Sequence, residues 1–328
     1  MTHNEELLAL RDQNDWNNKE WSQLTGIGQR VLEGIESGEI ALSDEQFDLL
    51  AELTKKEGGK HSSLQHFAEP KVIAVGNHKG GPGKTTMCTN IAYELAELGY
   101  NVLIVDTDSQ MDATKTYLDE DYANFIQSHN FYECITAGDS MKEAIISTPY
   151  ERIDMIAANV KLSNIELFLA SMSFKEKVVL RALAPIKEEN YYDFIIFDMD
   201  KNIGQLNTAV LMASDYLLLV SECATYHLDG IGTMKQQYEL VKTENPKLDI
   251  LGIILNKVNA RKEVAKEAME IIEEIFPGKT FQSYVRNDAV VEKAQWNQVA
   301  IADFSKNADA ARQIRNITQE ILERIKEQ

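Results

Sequence analysis

Six short, almost uninterrupted apolar runs punctuate the chain beyond residue 70: Lys71–Gly76, Val102–Asp106, Ile153–Ala157, Phe194–Asp198, Tyr216–Ser221 and Ile250–Asn256. Runs this short, without polar alternation, fit strands covered on both faces, as in a parallel sheet. Stretches of helical spacing separate them, beginning with Thr86–Leu98. Strand and helix in alternation predict right-handed crossovers and an α/β fold with a doubly wound, mostly parallel sheet. Ligands of such sheets bind beyond the carboxyl ends of the strands. The tail Ala308–Ile325 places Ile314, Ile317, Ile321, Leu322 and Ile325 at helical spacing and predicts a last helix docked on the sheet.

Residues 1–60 follow a different pattern, helical in character, and the polar stretch Glu57-Gly58-Gly59-Lys60-His61-Ser62-Ser63 suits a linker. The expected organisation is a small all-α domain over 1–60, a linker over 61–70 and the α/β domain over 71–328. Within the first, Lys19–Gly38 reads as helix, glycine turn, helix, with Trp21, Leu24, Ile27, Val31, Leu32 and Ile35 packing the pair. This segment resembles the Cro/repressor-type helix-turn-helix, whose second helix would present Gln29, Arg30 and Glu33 to base edges. Residues 1–60 nevertheless carry thirteen Asp or Glu against six Lys or Arg. Such a domain neutralises few phosphates. Partner binding or dimerisation through the same helices is the competing expectation.

The whole chain is acidic, with a formal net charge of −19 over 328 residues. A broad basic surface is therefore excluded, and any DNA contact must come from a local patch. Cys88, Cys134 and Cys223 have neither metal-binding nor redox spacing and read as small buried residues of a reducing cytosol. No apolar run approaches ~18 residues, the length a spanning helix requires. The acidic tail, with Glu320, Glu323 and Glu327 and no aromatic residue, lacks the composition of a membrane-binding helix. The N-terminus has no basic start followed by an apolar stretch, so no secretory signal is expected.

The chemistry concentrates at the ends of the predicted strands. Lys79-Gly80-Gly81-Pro82-Gly83-Lys84-Thr85-Thr86 follows the first of them directly. Glycines there let backbone N–H groups wrap a phosphate chain, while Lys84 suits the β/γ-phosphates and Thr85 a magnesium ion. Thr86 and the helix N-terminus add donors. Asp198, closing its own apolar run, is placed to hold the metal, and Asp106 and Asp108 add two carboxylates at the same edge. One acid more than the metal needs suggests that another orients an attacking water. Cys134, in Phe131-Tyr132-Glu133-Cys134-Ile135, is expected in a helical core.

Residues 71–328 resemble the ParA-type partition ATPases of the deviant Walker A superfamily, with MinD-type proteins as cousins. The resemblance rests on Asn77–Thr86, Val105-Asp106-Thr107-Asp108-Ser109-Gln110, Tyr192–Asp198, Ala213-Ser214-Asp215, Leu228-Asp229-Gly230, Leu255–Arg261 and Val285-Arg286-Asn287 with Glu292. It implies a P-loop fold that binds ATP and Mg²⁺. It makes Lys79 the signature lysine that reaches across a homodimer to the partner's nucleotide. Lys84, Thr85 and the loop glycines Gly80, Gly81 and Gly83 would serve phosphate and metal. Asp108 matches the family's catalytic carboxylate, Asp106 its neighbour near the metal, and Asn256 the residue near the adenine. Asn259 stands where a guanine reader has Asp, which favours ATP over GTP.

The resemblance further implies a weak ATPase stimulated by a ParB-like centromere-binding partner. The ATP dimer would bind nucleoid DNA non-specifically through basic residues of the last third: Arg261, Arg286, Lys306, Arg312 and Arg315. Plasmid or other DNA partition is the expected function. A nucleotide-gated repressor of its own operon and a MinD-like positioning ATPase are the alternatives. The chain departs from the family at Pro82, at Ser109, at Met199-Asp200-Lys201 after the metal-site carboxylate, and at Ala289.

Overall fold

A computed structural model describes residues 2–13, 21–22, 27–44, 46–48, 50–51, 67–118, 126–138, 140–202, 204–223, 225–259 and 263–327. Strands β1 (Lys71–Gly76), β2 (Val102–Asp106) and β5 (Phe194–Asp198) fall where the apolar runs predict them. β4 (Ile153–Ile156) stops one residue early, and β6 (Tyr216–Glu222) and β7 (Asp249–Asn256) each gain one. A further strand, β3 (Ile145–Ser147), has no counterpart in the pattern, since three residues carry no readable period. The sheet order is β3-β4-β2-β5-β1-β6-β7, parallel throughout except for antiparallel β3 at the edge.

Helix α1 (His3–Gln13) and α2 (Gln29–Ser37) precede the sheet, and α3 (Lys84–Glu97) links β1 to β2. α4 (Asp112–Tyr117) and α5 (Phe131–Ala137) lie between β2 and β3, and α6 (Ile165–Ser171) and α7 (Val178–Glu189) between β4 and β5. α8 (Gln205–Ala213) leads into β6, and α9 (Thr225–Glu244) into β7. α10 (Glu263–Ile275), α11 (Ala289–Trp296), α12 (Ile301–Phe304) and α13 (Asp309–Lys326) complete the chain. Among the described residues no helix is long and apolar enough to cross a membrane.

Period-two alternation sorts the strand residues onto two faces. Val72, Ala74, Leu103 and Val105 meet α5 to α10 on one face, including the expected core residue Cys134. Ile73, Val75, Val102 and Ile104 meet α3 and the terminal helix α13 on the other, where Ile314, Ile317, Ile321 and Ile325 are buried. The long apolar sequence of each strand follows from this double cover.

Several of the described N-terminal residues pack into the core on one face of the sheet. Leu7, Trp21, Leu32 and Ala51 are buried in the cluster that includes Leu103 and Val105. Ser22 Oγ donates to the Ile27 carbonyl at 2.6 Å and lies in hydrogen-bond contact with the Tyr191 hydroxyl. Glu33 pairs with Lys142 at 3.2 Å, and the Arg30 guanidinium donates to the Ile145 carbonyl of β3. α2 thus covers the sheet's antiparallel edge, where an open strand would offer unpaired backbone groups. Residues 52–66, where the linker is expected, and most of Lys19–Gly26 lie outside the described residues.

Trp21→Ala should therefore lower the stability of the whole chain by about 3–5 kcal/mol, the usual effect of emptying an aromatic-sized core site. Urea unfolding followed by circular dichroism checks this. A small separate transition for the N-terminal helices, with the main one unmoved, would show that they fold apart from the sheet.

Candidate nucleotide site

The loop between β1 and α3 owes its shape to two glycines in the left-handed region, Gly81 at φ 90° and Gly83 at φ 93°. L side chains rarely adopt that conformation. A Cβ at Gly83 would also stand 2.2 Å from the Asn256 amide nitrogen. His78 occupies the position at which a plain Gly-x₄-Gly-Lys-Thr loop begins.

The loop is tied at both ends. Asn77 Nδ2 donates to the Val220 carbonyl at 2.7 Å, and its Oδ1 accepts from the Lys79 N–H at 3.0 Å. At the other end Asn256 Nδ2 donates to the Pro82 carbonyl at 2.8 Å. Lys257 Nζ donates to the Gly81 carbonyl at 2.7 Å and pairs with Glu222 at 2.7 Å. The last residues of β6 and β7 therefore brace the loop from below. Gln295 of α11 donates to the Thr86 hydroxyl at 2.8 Å.

Above this loop opens a cleft of about 650 Å³ lined by Gly80–Thr86, Asp108, Asn256 and Arg286. That size suits a small-molecule ligand. The first-turn N–H groups of α3 border it, and their partial positive charge favours an anion. The Lys84 ammonium is buried, 3.4 Å from the Lys79 carbonyl. Burial lowers its pKa, while Asp198, Asp108 and Asp200 oppose that shift. Lys79 does not line the cleft. Its stem lies beside α9, where a Cβ on Gly230 would come within 2.8 Å of the Lys79 Cγ.

The three carboxylates take different states. Asp198 is buried, and neither of its oxygens has a hydrogen-bond partner at normal distance. Its pKa is pushed well up, by burial first and then by Asp106, with Thr85 and Lys84 pulling it down. Asp106 is fully buried and engaged. It accepts from the Thr114 N–H at 2.9 Å, the Thr114 hydroxyl at 2.7 Å and the Asp108 N–H at 3.1 Å. Burial raises its pKa to about 6. These bonds give Asp106 an anchoring role for the loop that carries Asp108. Asp108 reaches the cleft, accepts from the Gln110 N–H at 2.9 Å and is raised in pKa by burial.

Arg286, expected as a DNA contact, lies in the lining of this cleft, its guanidinium 5.9 Å from the Tyr284 ring. Lys306 is exposed and 3.9 Å from Glu97. Arg315 makes two hydrogen bonds to buried Glu94, at 3.0 and 3.3 Å, and Arg312 pairs with Asp309 one turn away. Arg261 and the Gln29 side chain lie outside the described residues. Sequence reasoning missed Thr114, Lys257 and Gln295, whose parts depend on neighbours 8, 176 and 209 residues away.

A parallel sheet whose first strand runs through a glycine loop into a helix N-terminus, with carboxylates at the adjoining strand ends, defines a P-loop nucleoside-triphosphatase. Residues 70–250 match the family described as AAA domain. Soj of Bacillus subtilis, a sporulation initiation inhibitor protein, is 31% identical over 225 residues, 68% of this chain and 87% of Soj. The virulence plasmid ParA family protein pGP5-D of Chlamydia psittaci is 30% identical over 252 residues, 76% of this chain and 94% of pGP5-D. The fold also matches the crystal structure of a putative plasmid partition protein of Borrelia burgdorferi bound to AMPPNP. That match has a TM-score of 0.67 at 20% identity and covers 78% of this chain and 99% of the other. The chain belongs to the ParA/Soj family of P-loop ATPases.

The state of Asp106 has a measurable consequence. Its native pKa is about 6 against an ordinary 3.8. Between those values the unfolded chain ionises first, so native stability falls as pH rises from about 4 to about 6 and is level beyond. Relative to Asp106→Asn, the wild type should lose stability across that window only, read as the difference in urea midpoints at each pH. A constant difference from pH 4 to 8 would contradict the raised pKa.

Proposed function

We propose that this chain is a ParA-type ATPase that dimerises on ATP and binds DNA in that state. With a ParB-like centromere-binding partner, it partitions a plasmid or similar DNA cargo. The observation that carries the reading is the different placement of the two loop lysines. Lys84 ends inside its own cleft among carboxylates, whereas Lys79 stands outside the lining, at α9. A cation kept out of its own cleft is available to a facing copy's phosphates, as the family's signature lysine is.

In this reading the triphosphate lies along the N–H groups of Gly80, Gly81, Gly83 and Thr86, with Lys84 at its β/γ end. The Thr85 hydroxyl and Asp198 would hold Mg²⁺. They fit, because the orphaned oxygens of Asp198 are buried hard ligands without another partner. Bound there, the ion would neutralise charge on the β- and γ-phosphates. Asp108 accepts from and orients the attacking water. Asn256 holds the loop shape by its bond to Pro82. Turnover is slow until the partner protein acts, and the dimer resides on the nucleoid in the cytoplasm. Lys306 supplies part of the DNA contact.

The relatives support partition. pGP5-D is a virulence plasmid ParA family protein, and the Borrelia match is a putative plasmid partition protein bound to AMPPNP. PomZ of Myxococcus xanthus, a cell division protein, is 29% identical over 256 residues, so relatives of this chain include a protein outside plasmid partition.

Light scattering with a non-hydrolysable ATP analogue tests the dimer. The wild type should double in mass. Lys79→Ala should stay monomeric while keeping nucleotide affinity within about threefold, a change below 1 kcal/mol. A Lys79→Ala protein that dimerises like the wild type would overturn the cross-subunit role. DNA retention should likewise require ATP and fall steeply between about 50 and 200 mM salt, since each phosphate contact releases a counterion.

A further inference from the structure

The loop after Asp198 is given a defined shape by hydrogen bonds. The Met199 N–H donates to the Val75 carbonyl at 3.2 Å, and His78 Nδ1 donates to the Lys201 carbonyl at 2.9 Å. Asn207 Nδ2 donates to the Asp200 carbonyl at 3.0 Å, and the Asp200 carboxylate accepts from the Lys201 N–H. Pinned this way, Lys201 lays its stem over the phosphate loop. Its Cδ is 3.7 Å from where a Cβ on Gly80 would stand. Its ammonium is bonded by none of the described residues.

We infer that Lys201 is a third cation of the site, set within the same subunit to face the terminal phosphate beside Lys84. This rests on the nucleotide reading above. Lys201 lines the 650 Å³ cleft and also a 210 Å³ cavity shared with Asp108 and Asp200. It therefore stands where Asp108 enters the cleft, over Gly80 of the phosphate loop. Its charge opposes that of Lys84. Two like charges converging on one loop are unfavourable until an anion lies between them, and a triphosphate places its last group there. A diphosphate leaves Lys201 without that partner. Lys201 should thus discriminate ATP from ADP, a task for which Lys84 and the loop amides are poorly suited because they serve both.

Isothermal titration of ATP and ADP into the wild type, Lys201→Met, Lys201→Arg and Lys84→Ala separates the possibilities. Lys201→Met should lose on the order of tenfold in ATP affinity, the worth of one charge-assisted bond to phosphate. Its ADP affinity should change by less than about twofold. Lys201→Arg should recover most of the ATP affinity, and Lys84→Ala should lose both nucleotides. Unchanged ATP binding by Lys201→Met, or an equal loss for ATP and ADP, overturns the role of Lys201 and leaves the P-loop reading standing. A wild type that binds neither nucleotide overturns both.

Discussion

Asp106 and Asp198 sit opposite one another on adjacent parallel strands, and most of the site follows from that pairing. The register of β1 on β5 sets Val75 beside the same Asp198, so the phosphate loop starts next to a buried carboxylate. Two carboxylates at neighbouring strand ends, both desolvated, cannot carry their charges without compensation. The protein compensates them unequally. Thr114 and the backbone of Asp108 occupy Asp106, while Asp198 keeps unpaired oxygens and has the Lys84 ammonium nearby. The unequal treatment leaves the Asp198 oxygens without a hydrogen bond at normal distance and makes Asp106 a fixture of the loop.

That electrostatic arrangement needs a rigid frame. The left-handed glycines set the loop's path, but long-range bonds from Asn77, Asn256, Lys257 and Gln295 hold it in place. Each brace comes from the end of an element already fixed in the sheet or packed upon it. Hydrogen-bond donors aimed beforehand at an anion do not have to be reorganised when it arrives. At the far edge, α2 lies beside β3, and Leu7, Trp21 and Leu32 share the core of the sheet.

The chain's acidity bears on its dealings with DNA. Of the basic residues expected to contact DNA, Arg315 is held by Glu94, Arg312 by Asp309, Arg30 by the β3 backbone, and Arg286 lines the cleft above the phosphate loop. Lys306 remains open to a polyanion. A net charge of −19 opposes non-specific attraction at long range. In the proposed cycle two copies present their few local cations together, which places the nucleotide-dependent pairing upstream of DNA binding.

The phosphate loop, the strands β1, β2, β5, β6 and β7, and the terminal helix were legible in the sequence, because each is written in contiguous residues: glycines beside lysines, or unbroken apolar runs. The same local grammar named Asp106, Asp108 and Asp198 as acids at strand ends. It did not distinguish them, since what separates Asp106 from Asp198 is a hydroxyl eight residues away in one case and the lack of a hydrogen bond at normal distance in the other. Nor did it show β3, too short to have a period, or that α2 and Trp21 join the main core. Covalent order determined which chemical groups reach the edge of the sheet; only packing decided which of them are engaged by hydrogen bonds, because burial and partnership belong to the folded neighbourhood and to no stretch of chain alone.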